Sequence, residues 1–147
     1  MKLSEHFERE EFEKESPMPE TSVQAYRFLA LNILEPIRAQ FGEPLEVTSG
    51  DRRSAANQAC HGDQHSEHVS TADYCAADWT IRKFQQDMRP VFDWIRLHSL
   101  LPFHNVVLEH GKNGDVIHVS WSRFTNMRVA KERATHNASP PIGWSVA

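Results

Sequence analysis

The sequence predicts a single α+β domain, an antiparallel sheet with a C-terminal hairpin, flanked by helices. Three observations carry this prediction. Val23, Tyr26, Ala30, Ile33, Leu34, Ile37 and Phe41 recur at helical spacing, which marks one core-facing helix. Short apolar runs, "PLEVTSG" and "CAADWTI", end in turn residues or polar segments and read as strands. Two β-branched runs flank "GKNG" in "FHNVVLEHGKNGDVIHVSW", the pattern of a hairpin. A chain of 147 residues suffices for one hydrophobic core, and helices packed on an antiparallel sheet give the α+β class.

Along the chain, "SPMPE" is a turn whose Pro19 is suited to open a helix. Within the following helix Pro36 removes a backbone donor and predicts a kink, and Gly42 is a natural stop. In "PLEVTSG", Leu45 and Val47 face one way, and the closing glycine begins a tight turn. "SAANQAC" is expected to form a short helix capped by Ser54. "RKFQQDMRPVFDWIRLHSLL" reads as a second amphipathic helix, with Phe84, Met88, Val91, Phe92, Ile95 and Leu100 on its buried side. From Arg123 onward the chain is polar and then Pro-rich at "SPPIG". The expectation is therefore a folded domain over 1–122 and a partly irregular polar extension over 123–147.

Composition excludes several classes of function. The net charge of −4 and the lack of a basic, aromatic-interleaved stretch argue against a nucleic-acid partner. "MKLSEHFEREEFEKES" is charged throughout, unlike a signal peptide, and no apolar stretch approaches the roughly 20 residues of a membrane span. Synthesis in the cytoplasm without a signal peptide is expected. Cys60 and Cys75 are too few for a disulfide scaffold, and their pairing is left open.

Nine histidines are many for this length, and they direct attention to metal chemistry. A hydrolytic zinc site uses three protein ligands and an open position, so that a water is deprotonated near neutral pH and a carbonyl is polarised. Asp78 lies in the apolar run "CAADWTI" and His118 in "VIHVSW"; burying either is costly unless it is paired or metal-bound. His68 and Asp78 flank a loop. A general base is also needed. With "KN" as the hairpin turn, position 109 lies opposite 116 and position 107 opposite 118. Glu109 then shares a sheet face with His118, whereas Asp115 points to the other face. Cys75, three residues from Asp78 on a strand, points away from it and is expected to be a buried structural thiol.

These residues resemble the M15 family of zinc peptidases, in the branch of small D-alanyl-D-alanine carboxypeptidase-like and phage or bacterial peptidoglycan-cleaving domains. The likeness runs from about Leu3 to Trp121. "LSEHFEREEF" is similar to that branch's opening "LSEHF" and short acidic helix, and "NILEPIRAQFGEPLEVTSGDRRS" to its long helix and the strand ending in "TSGYR". "SEH" resembles its serine-x-histidine, "AAD" its alanine-x-aspartate, "LPFHNVVLE" its "FDQLIxE" strand and "IHVSW" its "VHVSY".

The resemblance implies the hedgehog/D-Ala-D-Ala peptidase type of fold and Zn2+ held by His68, Asp78 and His118. It also implies Glu109 as base, Arg52 as a catalytic and substrate-binding residue, and Ser66 at the substrate or in ordering the loop. The implied substrate is a peptidoglycan stem peptide, cleaved by a carboxypeptidase or an endopeptidase, with action at the cell wall after phage-type release. The chain departs from the family in three places. Nine residues separate His68 from Asp78, three more than in the family's H-x-x-G-x-A-x-D, and Tyr74 stands at the glycine position. Asp51 replaces the tyrosine of "SGYR", and His104 replaces the aspartate of "FDQ". His65 and Asp73 are therefore spare ligands. The alternatives are a catalytically inactive cell-wall-binding or phage structural module and a metal-binding regulator using the histidine-rich loop.

Overall fold

In the computed structural model, residues 1–53 and 67–134 are described, so Ser54, Cys60, His61, His65 and Ser66, with the helix expected at "SAANQAC", lie outside the described residues. The core stripe read from the sequence forms a rod of three consecutive segments. Helix α1 (Val23–Leu29) runs into a π-helical turn, Ala30–Leu34, and then into α2 (Glu35–Phe41). Pro36 sits in the first turn of α2, directly after the widened π turn. Gly42 ends the rod in the left-handed conformation, with φ of 67°.

Strand β1 (Glu46–Ser49) follows, then β2 (Tyr74–Thr80), the hairpin of β3 (Asn105–Gly111) and β4 (Gly114–Ser122), and β5 (Val129–Ala134). The sheet order is β1-β2-β4-β3-β5. The hairpin register is the one read from "GKNG": Val107 faces His118 and Glu109 faces Val116. The second helix is shorter than the amphipathic stripe suggested. A 3-10 turn at Arg82–Phe84 is followed by α3 (Arg89–Asp93), which Pro90 opens in its first turn, and by a π turn, Trp94–His98. Met88, Val91, Phe92 and Ile95 are buried as expected, whereas Leu100 lies beyond the helix end and is 98 % exposed.

One feature corrects the expected sheet: it is mixed rather than antiparallel, because β5 runs parallel to β3, pairing Asn105 with Val129 through to His110 with Ala134. Within the extension expected to be partly irregular, Val129–Ala134 is an edge strand. "VAKERA" carries three consecutive charged side chains, which suit an exposed edge, and this composition hid it as a strand.

Strand alternation divides the chemistry. Cys75, Ala77 and Trp79 of β2, Val106 and Leu108 of β3, and Ile117, Val119 and Trp121 of β4 join Tyr26, Leu29, Ile33 and Ile37 in one core cluster. Asp78, His118 and Glu109 alternate with those residues and so face the other side. The described helices supply no span: none is long and apolar enough to cross a membrane.

Candidate metal centre

Antiparallel pairing of β2 with the central strand β4 places Asp78 directly opposite His118. His118 Nδ1 lies 2.9 Å from Asp78 Oδ1. His68 arrives from the loop before β2, and its Nε2 lies 3.2 Å from the same oxygen. One nitrogen or oxygen from each of the three residues falls within 4.8 Å of the others, a grouping that fits a metal ion. His68 and His118 are buried.

The backbone around the loop fixes His68. Its Nδ1 lies 2.7 Å from the Gly50 carbonyl, which can only accept, so Nδ1 carries the proton and Nε2 is turned toward Asp78. Its own carbonyl accepts the Arg52 N–H at 2.7 Å. Gly50 is required by close approach, since a Cβ there would overlap the Phe12 backbone, whose carbonyl also accepts the Asp51 N–H. The buried Asp51 accepts Arg53 Nε at 2.8 Å on Oδ2, and Arg53 Nη2 and the Ser70 N–H on Oδ1. Its charge is therefore matched by Arg53 and ties the turn after β1 to the segment after His68. Arg52 is left differently placed: its buried Nε has no hydrogen-bond partner among the described residues.

Electrostatics bind the cluster together. Burial disfavours a charged His118, but hydrogen bonds to Asp78 and Glu67 outweigh it and push its pKa up to about 10. Burial likewise opposes ionisation of Asp78, yet His68 and His118 hold its carboxyl far below the usual carboxylate range. Glu67, whose Oε1 is 3.0 Å from His118 Nε2, is held at about 2, its burial overcome by hydrogen bonds led by that from His118.

The three proposed ligands are brought together, and the longer loop between His68 and Asp78 leaves them so. Asp73 lies outside this cluster; its backbone N–H bonds Thr71 and its carboxylate pairs loosely with Arg123 at 3.6 Å. Glu109 lies on the face of His118, and Arg133 Nη2 donates to its Oε1 at 2.8 Å. Asp115 faces the other side, where Oδ2 accepts the Met88 N–H at 2.9 Å and Oδ1 meets His110 Nδ1 at 2.8 Å. Cys75 is a buried free thiol. His104 donates its backbone N–H to the Ser120 carbonyl, and its buried Nδ1 has no partner among the described residues. Sequence reasoning passed over Glu67, whose one visible signal was a carboxylate directly beside a ligand histidine.

In this α+β domain, Asp78 and His118 on one sheet face and His68 from the loop before β2 form a group that could hold a metal ion. The chain belongs to the peptidase M15 family: the family model described as Peptidase M15 matches residues 5–103, two thirds of the chain, including His68 and Asp78. No curated protein and no solved structure matches it.

Proposed function

We propose that this protein is a zinc-dependent metallopeptidase that hydrolyses peptide bonds in peptidoglycan stem peptides. The observation that carries the reading is the convergence of His68 Nε2, Asp78 Oδ1 and His118 Nδ1 on one point. Two imidazoles and one carboxylate are the donor set of a catalytic zinc site, in which three protein ligands leave a position for solvent or substrate. Bound there, zinc supplies Lewis-acid chemistry, lowering the pKa of a water and polarising the scissile carbonyl.

The chain's own residues supply the rest. Glu109, a diagonal neighbour of His118 on the same sheet face, is the proposed base. Arg133 holds one of its oxygens, and the other takes a proton from the attacking water and returns it to the leaving amine. Arg52, with a buried Nε lacking a partner among the described residues, is the proposed fork for a substrate carbonyl or carboxylate. Ser66 is proposed to contact the substrate backbone. Cleavage at the cell wall after phage-type release belongs to the same proposal.

The deciding experiment measures zinc content and release of D-alanine or stem-peptide fragments from purified peptidoglycan. Glu109→Ala is expected to keep zinc and to lose about 10²–10⁴-fold in turnover. Undiminished turnover excludes Glu109 as base. A folded wild-type protein that takes up no zinc supports the inactive wall-binding module instead.

A further inference from the structure

Glu67 directly precedes His68 in the chain but reaches the other histidine of the cluster. Its Oε1 lies 3.0 Å from His118 Nε2, the nitrogen turned away from Asp78. Its Oε2 accepts Asn105 Nδ2 at 3.0 Å, and Asn105 is held in turn by its backbone N–H on Ser120 Oγ at 3.1 Å. Asn105 and Ser120 project from β3 and β4 on the same face as His118. Glu67 itself is outside the three-residue cluster.

We infer that Glu67 is a positioning residue for the metal centre, accepting the His118 Nε2–H and so reserving Nδ1 as the ligand atom. The inference rests on the metal-centre reading above. An imidazole that binds a cation through one nitrogen carries its proton on the other, and that proton needs an acceptor. An ionised carboxylate only accepts, so Glu67 admits the tautomer with Nε2–H and excludes the one that would direct an N–H at the ion. Asn105 fixes the carboxylate by occupying its second oxygen. The adjacency of Glu67 and His68 gives the arrangement a further use. One loop segment supplies a ligand and orients the ligand on β4. That segment is anchored to the end of β1 through Gly50 and Arg52, so seating of the loop and alignment of His118 become one event.

The test compares zinc affinity, by competition with a chromophoric chelator, for the full-length wild type, E67A, E67Q and H118A. E67A is expected to bind zinc about 10–100-fold more weakly, the range for loss of such a partner. E67Q keeps an acceptor oxygen and is expected to regain most of that affinity. Long-range 1H–15N spectra of the zinc-loaded wild type are expected to show the His118 proton on Nε2; this readout decides even if E67A fails to fold. Equal affinity of E67A and wild type, a glutamine variant no better than alanine, or a His118 proton on Nδ1 overturns the inference and leaves the metal centre standing. A wild type that binds zinc no better than H118A removes both.

Discussion

The β3–β4 hairpin carries two histidine–carboxylate clusters on its opposite faces, and they are built to different ends. On one face His118 and His68 share a single carboxylate oxygen of Asp78, with Glu67 behind His118. On the other, His110 lies between two carboxylates, Nδ1 at 2.8 Å from Asp115 Oδ1 and Nε2 at 2.7 Å from Glu132 Oε2, and Arg89 also pairs with Glu132. The second cluster sets His110 and Arg89 against Asp115 and Glu132 and uses Asp115 Oδ2 to receive the N–H of Met88 at the start of α3. Its contacts join β3, β4, β5 and α3. The first cluster directs nitrogen atoms from separate segments at one oxygen, the arrangement that a cation in their midst would complete. The candidate metal centre thus differs from the ion-pair clasp in the number of imidazoles turned to a common point, not in the number of carboxylates.

Substituting the ligands gives the largest effect and tests the comparison directly. Asp78→Ala or His118→Ala is expected to weaken zinc binding by more than the roughly 100-fold upper end for outer partners, whereas His110→Ala leaves zinc stoichiometry at that of the wild type. Metal analysis after dialysis measures both. Zinc lost equally in the His110 variant would break the distinction between the two faces. Gly50→Ala should act next. The added Cβ overlaps the Phe12 backbone, so the carbonyl that anchors His68 Nδ1 must move. A destabilisation of about 1–3 kcal/mol in urea unfolding is expected, together with weaker zinc binding.

How far the sequence disclosed these two faces depended on how local each signal was. The turn at "GKNG" fixed the hairpin register, and with it the placement of Glu109 beside His118 and of Asp115 opposite. That argument needed no knowledge of the remaining strands. The pairing of Asp78 with His118 joins residues forty positions apart across β2 and β4, and nothing in either segment declares its partner. Asp78 and His118 were singled out as candidate ligands by the cost of burying them, not by register. Strand β5 stayed hidden for a related reason: parallel pairing with β3 has no turn signal, and Lys131, Glu132 and Arg133 give it the composition of a solvated tail. With β5 unseen, the partners Arg133 for Glu109 and Glu132 for His110 were unseen as well. Leu100 shows the opposite error, since an apolar stripe can run past the point where the helix stops.

The clasp on the second face predicts a smaller, pH-dependent effect with a definite sign. Burial disfavours charge on His110, but its bonds to Glu132 and Asp115 prevail and raise its pKa above 6.5. Burial also opposes ionisation of Glu132, whose pKa is nevertheless lowered below 4.5 by His110 and Arg89. A histidine whose folded pKa is raised stabilises fully below its unfolded value, and loses that contribution as pH rises through the folded value. A carboxylate whose folded pKa is lowered stabilises fully above its unfolded value and loses it as pH falls. The two conditions overlap between pH 4.5 and 6.5, the ordinary values of the two groups. His110→Gln, which cannot carry the charge, is expected to be less stable than the wild type by about 1 kcal/mol inside that window. The gap should narrow as pH rises through the raised pKa of His110, because the wild type loses the charge that the variant never had. Urea unfolding of both proteins across this range measures it. A gap that widened with rising pH would mean that His110 is held neutral, and the second cluster would then be no charge-balanced clasp.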